Sequence, residues 1–539
     1  MPENVFFRDD VLVEPLFNQW YAWTYLIPPA SASMYVANLH LELLESFVAM
    51  PQMHATALQN PANVGAPFVN IHPSRVDEVR ELLEFTREQE ADLIELAAAI
   101  KTVERKLAAE ASGFSLESWY PRLPEPLRGH VELVYDLQGR PSVRFLEGLL
   151  YRSRYYDARR QSVALSRLQN DGRTFVFSTP RLRDGSRTFA DVAFADPALD
   201  ELFRARTEAQ SYERLRDLLR IDDCDEPAFR TLFTSEPQRA CAAYDGADVR
   251  VRYFGHACIL IEARGVSILC DPVISYKDAS GLDQYIHSDL PPVIDYVLIT
   301  HNHQDHIMFE TMLQLRHKVR NVVVPKSYGG HRLDPSLRLL LRTIGFPNVI
   351  ELDDMETIDT ERAAITGLPF LGEHGDLDVR TKLGYHVAID GRTILLLADS
   401  NNVDHRLYEH LRELVGPIDV LFIGMECDGA PISWMYGPMM TSPLARENDQ
   451  SRRLSGSDCE RGMSIVDTLE PKQIYVYAMG QEPWLTFLTS IRYTAESRPI
   501  VESDQLVAAC RARGLESERL WVKKEIFLPA RSGAMAGAV

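Results

Sequence analysis

Thr300-His301-Asn302-His303-Gln304-Asp305-His306 places three imidazoles and a carboxylate within six consecutive positions. No helix face or strand face needs that density of histidine for packing. The residue type marks a proton, a metal or a surface. Immediately upstream, Val293-Ile-Asp-Tyr-Val-Leu-Ile-Thr300 is apolar and rich in β-branched side chains, which predicts a buried strand. The cluster then lies on a loop at the C-terminal end of a strand, where α/β folds hold their ligands. In an extended loop His301 and His303 alternate about Asn302 and can point to one metal. Asp305 and His306 follow closely enough to serve a second.

Strand signals continue on both sides of this stretch. Upstream, Val249 to Glu262 reads as two strands around Gly255-His256, and Val266 to Pro272 as a strand ending in Asp271-Pro272. Downstream come Asn321–Pro325, Asn348–Leu352 and Ala364–Thr366. Tyr385–Gly391 and Thr393–Ala398 form a hairpin through Asp390-Gly391, and Val420–Gly424 and Gln473–Tyr477 follow. Strands interleaved with helical segments indicate a layered α/β sandwich. It is expected to occupy residues 246–530, after an N-terminal domain over 1–245 and before a small-residue, flexible tail at 531–539.

The chain has 539 residues and a formal net charge of -20. Length favours two or three domains. The acidic balance disfavours nucleic acid, whose phosphates require a basic face. The seven cysteines contain no C-x-x-C pair, and Cys258 and Cys270 lie in apolar runs as small core residues. A zinc ribbon and a disulfide framework are not expected, and a reducing cytoplasm is. No signal peptide and no membrane span can be read from the chain.

The N-terminal part carries an aromatic, Pro-containing opening from Trp20 to Pro29 and a helical pattern from Ser33 to Met50. Its longest helical signal covers 75–109 and suits either packing within its own domain or a dimer contact. His130–Tyr135 and Pro141–Phe145 predict a hairpin. Asn170-Asp171-Gly172 before Thr174–Ser178 suggests another. Arg152, Arg154, Arg159 and Arg160, with Arg181, Arg183 and Arg187, form either a docking face or arginine stems covering apolar surface. Residues 197–237 return to helical patterning, and no catalytic motif precedes about residue 245.

The H-x-H-x-D-H run resembles the metal-binding signature of the metallo-β-lactamase superfamily. With Gly255-His256, the Asp271-Pro272 step and the strand end Leu397-Ala398-Asp399, the resemblance spans roughly residues 248–530. It implies that Asp399 bridges two metals. It also implies that Asp271 accepts a hydrogen bond from a ligand histidine and fixes its tautomer. Two departures from the superfamily are informative. Its hydrolases carry a metal-binding histidine between the cluster and the bridging aspartate, whereas Leu371-Gly-Glu-His-Gly-Asp376 offers both Glu373 and His374. They also carry a late histidine, whereas none follows His410 here and Tyr477-Ala-Met-Gly-Gln481 stands at the corresponding strand end. A set containing Glu373 has three imidazoles and three carboxylates, which suits iron better than zinc.

The chain as a whole resembles the diiron β-hydroxylases of nonribosomal peptide and antibiotic biosynthesis, such as that of the chloramphenicol pathway. Asn18-Gln-Trp-Tyr-Ala-Trp-Thr-Tyr25 and the Pro61-to-Phe68 segment share in that resemblance without an assigned chemistry. The fold implied is α/β, a C-terminal metallo-β-lactamase αββα sandwich preceded by a large mixed α+β N-terminal domain. The activity implied is that of a non-haem diiron monooxygenase, an oxidoreductase that β-hydroxylates an aminoacyl group. That group would be held as a thioester on the phosphopantetheine arm of a peptidyl carrier protein. The implied cofactors are two iron ions joined by an oxo or hydroxo bridge, with O2 as cosubstrate and an external two-electron donor supplied by a reductase. A homodimer is implied as well. The implied metal ligands are His301, His303, Asp305, His306, Glu373 and Asp399, with His374 competing with Glu373. Glu426 is read either as a carboxylate supporting the site or as a helix-start or surface residue, and His256 as a pocket wall or supporting group. The alternative activity is a zinc-dependent hydrolase of a thioester, ester or phosphodiester that binds metal through His374.

Overall fold

The computed structural model describes residues 4–168 and 172–531. Two seven-stranded sheets face each other across the C-terminal part. The first runs Val349–Leu352, Val319–Pro325, Ile294–Leu298, Val266–Cys270, Ile259–Ala263, Val249–Tyr253 and Lys524–Leu528. The second runs Thr357–Asp359, Ala363–Leu368, Gly384–Ile389, Arg392–Leu396, Val420–Gly424, Gln473–Tyr477 and Glu516–Arg519. Period-two alternation assigns each side chain to a layer. Ile268 and Cys270 meet Ile365, Tyr385 and Val387 between the sheets, while Leu269 faces outward. Val420 and Phe422 likewise face inward, while Leu421 and Ile423 meet the helices Arg406–Val415, Cys459–Leu469 and Arg498–Ala512. The result is the αββα sandwich. Cys258 and Cys270 are buried and unpaired, as core residues.

The strands Val266–Cys270, Ile294–Leu298 and Val319–Pro325 are parallel, as are Arg392–Leu396, Val420–Gly424 and Gln473–Tyr477. Within each set the C-terminal ends share one edge, and the loops that carry chemistry leave from there.

The N-terminal part is mixed. It holds a four-stranded sheet (Trp20–Tyr21, Val11–Phe17, Gln161–Arg167, Thr188–Ala190), the hairpin Val131–Tyr135/Pro141–Phe145 and a helical layer. Its buried side chains, including Trp23, Leu44 and Phe194, join one core with Val297, Val322 and Phe309 on the outer face of the first sheet. The helical pattern from Ser33 to Met50 belongs to Pro29–Tyr35 and Leu41–Ala49, joined through a π turn at Val36–His40. There His40 stacks on Trp20 at 4.0 Å, and burial pushes its pKa down to about 3.

Two expectations are corrected. The helix over 75–109 is two helices, Val76–Gln89 and Ala91–Glu110, broken where Glu90 turns inward to pair with Arg160 Nη1 at 3.1 Å. Thr174–Ser178 forms no strand: Val176 N–H bonds to the Phe487 carbonyl at 3.0 Å instead of entering a ladder. The Asn170-Asp171 part of that hairpin signal lies outside the described residues, as does the tail from 532 onward. In the arginine-rich region most of the guanidinium groups are ion-paired, which leaves both readings of that face standing. Arg154 meets Asp92, Glu95 and Glu125, Arg159 meets Asp157, and Arg183 meets Asp191. Arg181 and Arg187 converge with Arg173 on Glu14.

Candidate metal centre

The strand ends deliver the predicted residues to one place. Asp271 follows Cys270, the His301–His306 loop follows Leu298, and Asp399 follows the Arg392–Leu396 strand. His256, Asp271, Glu373, Ala398 and Ala478 all have positive φ, from 41° to 66°. Each non-glycine residue held there costs about 1–2 kcal/mol. The cost is concentrated where side chains must turn toward the sandwich edge. Gly424 admits Asp399: a Cβ at that position would lie 2.3 Å from the Ala398 carbonyl and 2.9 Å from Asp399 Oδ1.

Three groups of ligand-type atoms each lie within 4.8 Å of one another: His301/His303/Glu373, His301/His306/Asp399 and His256/Asp305/His306. Asp399 Oδ2 lies 3.1 Å from His306 Nε2 and 3.7 Å from His301 Nε2, and Glu373 Oε1 lies 2.8 Å from His303 Nδ1.

Hydrogen bonds fix which ring nitrogens are free. Asp271 accepts from Thr300 N–H at 2.8 Å and from Thr300 Oγ1 at 2.6 Å, and its Oδ2 lies 2.8 Å from His306 Nδ1. His306 therefore carries its proton on Nδ1 and leaves Nε2 bare. Thr300 Oγ1, having given its proton to Asp271, accepts from His301 Nδ1–H at 3.0 Å. That leaves His301 Nε2 bare. His256 is different. Gly480 N–H donates to its Nδ1 at 3.1 Å, so the ring proton sits on Nε2 and faces Asp305 Oδ2 at 3.3 Å. His256 Nε2–H thus faces Asp305 without making a hydrogen bond to it, and the residue also lines the cavity at the site.

The residues fit a dinuclear metal. His301 Nε2, His306 Nε2 and Asp399 Oδ1 are buried without a hydrogen-bond partner. Each such atom costs about 1–3 kcal/mol unless something else satisfies it. Burial, then Asp399 and Asp305, push the Glu373 pKa well up. Burial holds His303 at about 4 despite Asp305. Burial likewise lowers His301, whereas at His306 burial is outweighed by Asp399 and Asp271, which push its pKa well up. Imidazoles facing carboxylates this crowded are the arrangement that divalent or trivalent cations satisfy.

His374 stands apart. Its Nδ1 lies 2.7 Å from the Tyr436 hydroxyl, and it joins none of the three groups. Glu426 is also outside them. It lines the same cavity of about 360 Å³ as Glu373 and Asp399, and its Oε2 accepts from the Tyr493 hydroxyl at 2.8 Å. Burial, opposed by Tyr493 and reinforced by Asp428 and Asp399, raises its pKa to about 7. A second cavity of about 470 Å³ adjoins, lined by Trp23, Tyr35, Phe175 and Phe177, and Gln304, Trp434 and Met435 line both. Sequence reasoning missed Tyr436, Tyr25 and Tyr493 as partners of the site. Each is remote along the chain from the residue it serves, and a lone tyrosine carries no spacing signal.

A sandwich of this topology with an H-x-H-x-D-H loop at its edge defines a metallo-β-lactamase-fold protein with a dinuclear site. Residues 267–475 match the beta-lactamase superfamily domain, and residues 6–237 match the diiron non-heme beta-hydroxylase N-terminal domain. The 4-amino-L-phenylalanyl-[CmlP-peptidyl-carrier-protein] 3-hydroxylase of Streptomyces venezuelae is 39% identical over 529 residues, covering 97% of this chain and 99% of the relative. The crystal structure of CmlA, a diiron beta-hydroxylase from the same organism, superposes with a TM-score of 0.91 at 37% identity, covering 98% of this chain and 100% of that one. The chain belongs to the non-haem diiron β-hydroxylase family.

Proposed function

We propose that this protein hydroxylates the β-carbon of an aminoacyl group held as a thioester on a peptidyl carrier protein, with two iron ions as cofactor and O2 as cosubstrate. His301, His303 and Glu373 would hold one iron, Asp305 and His306 the other, and Asp399 would lie between them. The observation that carries this reading is the donor set: bare imidazole nitrogens and buried carboxylates, with Glu373 rather than His374 turned inward. That set is richer in oxygen than a zinc hydrolase site requires. When bound, the iron pair supplies O2 activation and takes electrons from an external donor.

The chain's own residues do the rest. Asp271 holds the His306 proton at Nδ1, and His256 turns its Nε2–H toward Asp305. The carrier arm would bring the substrate in at high local concentration, so the cavity need not bind the free amino acid tightly. The metal-side cavity would hold the carbon to be oxidised, and the adjoining aromatic cavity offers it apolar contact away from water. Arg492 lines the metal-side cavity, where a phosphate-bearing arm would find positive charge, while Arg498 beside it is paired with Asp458 and Glu502. The exposed apolar side chains Met50, Met53 and Phe85 support a homodimer through the N-terminal helices. No helix among the described residues is long and apolar enough to cross a membrane, and the unpaired cysteines agree with a reducing cytoplasm.

The test is intact-mass analysis of aminoacyl-loaded carrier protein after reaction with reduced enzyme and O2. Addition of one oxygen atom, dependent on iron and O2, is expected. Hydrolytic release of the aminoacyl group without oxygen insertion would overturn the reading in favour of a hydrolase.

A further inference from the structure

Tyr436 ends the helix Ile432–Tyr436, more than a hundred residues beyond the histidine cluster, and its side chain is fully buried. Its hydroxyl lies 3.1 Å from His303 Nε2 and 2.7 Å from His374 Nδ1. Its ring packs edge-on against that of Tyr25, from the N-terminal part, with centroids 6.1 Å apart. Tyr25 donates to the Leu333 carbonyl at 2.8 Å and accepts from Asn302 Nδ2–H at 3.0 Å.

A phenol has one proton to give and lone pairs to receive, so one hydroxyl can serve both rings. It meets His303 through Nε2, which leaves Nδ1 facing Glu373. It meets His374 through Nδ1, and the His374 Nε2 is buried with no partner.

One hydroxyl thus holds two neighbouring rings, His303 of a ligand group and His374, which belongs to none of the three groups. The two rings are close, with centroids 4.5 Å apart, and the His374 ring is 5.8 Å from that of His301. The turn carrying Glu373 and His374 is clamped by the same helix. A Cβ on Gly375 would fall 1.9 Å from Ile432 Cγ2. Ile432 lies four residues before Tyr436, one helical turn away on the same face.

We propose that Tyr436 is a positioning residue that keeps His374 off the metal while directing His303 Nδ1 onto it. It thereby decides that the site binds through the Glu373 oxygen rather than an additional nitrogen. This rests on the ligand set proposed above. An imidazole released from Tyr436 would add a nitrogen donor, and the divalent-metal affinity order favours zinc over ferrous iron at nitrogen-rich sites.

The test is anaerobic competition. Metal-free enzyme is mixed with limiting, equimolar ferrous iron and zinc, and bound metal is counted. The wild-type iron-to-zinc ratio is the reference. Tyr436→Phe should move it toward zinc by about tenfold, the scale on which residues supporting metal ligands act. Adding His374→Ala to Tyr436→Phe should return the ratio to the wild-type value, which a merely structural role for Tyr436 would not do. Where Tyr436→Phe fails to fold, as judged by thermal unfolding of the metal-free protein, Tyr436→Met, which also removes the hydroxyl, carries the same comparison with and without His374→Ala. An unchanged ratio, or a shift that His374→Ala leaves in place, overturns the proposal. Failure of the ligand set itself reads out separately, as undiminished iron content in Glu373→Ala.

Discussion

Glu373 and His374 are neighbours in the chain and rivals in the site, and the outcome turns on one dihedral. Glu373 has φ +66°, which swings its carboxylate to His303, while His374 is left to bond Tyr436. Sequence exposes both residue types and cannot reveal which one faces inward, because a left-handed glutamate in a Gly-rich turn has no compositional mark. The histidine run was legible for the opposite reason: four candidate ligands in six positions leave little freedom in where they point. Glu373→Ala should lower iron from about two to about one per chain and reduce oxygen insertion at least a hundredfold, the scale on which metal-site residues act. His374→Ala should keep its iron and lose no more than about tenfold in activity. Metal analysis beside intact-mass assays distinguishes the two, and equal losses would mean that both residues bind.

Among elements, the strands of both sheets were readable wherever an apolar run was flanked by turn residues, as at Val266–Cys270 and Val420–Gly424. Thr357–Asp359, Glu516–Arg519 and Lys524–Leu528 escaped because they are edge or near-edge strands of alternating charge and short length. The break at Glu90 escaped because a glutamate inside a polar helical run signals solvent. Glu90 is instead fully buried, and burial, with Arg160 only partly offsetting it, raises its pKa to about 7. The sign follows from proton binding. Between the ordinary carboxylate value near 4.5 and about 7, the folded chain holds a proton that the unfolded chain has released. Its contribution to stability is therefore fully present below that window and is lost as pH rises through it. Urea unfolding of the wild type should show this decline, of the order of 3 kcal/mol from pH 4.5 to 7. Glu90→Gln should flatten it. A slope that survives the substitution would assign the effect to another group.

The two parts of the molecule behave as one body because their contacts are buried and polar as well as apolar. Thr24 Oγ1 bonds to the Asn302 carbonyl at 2.8 Å and Tyr21 to Glu310 at 2.9 Å, and Arg173 joins Glu14 to Glu310. Burial by itself would raise the Glu14 pKa, but Arg181, Arg173 and Arg187 bring it down to about 2. Its stabilisation is present above the unfolded value near 4.5 and is lost as pH falls from there toward about 2. Glu14→Gln removes the carboxylate that three arginines share, leaving Arg173 only Glu310 and Arg181 no carboxylate, and should cost about 3–5 kcal/mol at pH 7 while flattening the acid limb of unfolding. If denaturant melts at pH 7 and pH 3 shift equally, the network carries no such linkage. Only the assembled molecule gives the unassigned N-terminal segments a place. Trp23 and the Gly65-to-Pro67 stretch both reach the aromatic cavity beside the metal centre, and Trp434 Nε1 bonds across it to the Gly65 carbonyl at 3.1 Å. No linear pattern could announce this, since the cavity wall is contributed by five separate regions of the chain. Phe177 is the wall residue best suited to test it, being half-buried and held by Trp23 and Trp434. Losing that ring removes about 1.5–3 kcal/mol of apolar contact. If the substrate fills the cavity, Phe177→Ala should raise KM for the carrier-bound aminoacyl group by about tenfold or more with iron content unchanged. A lowered kcat at unchanged KM would instead place the aromatic wall in support of the metal centre.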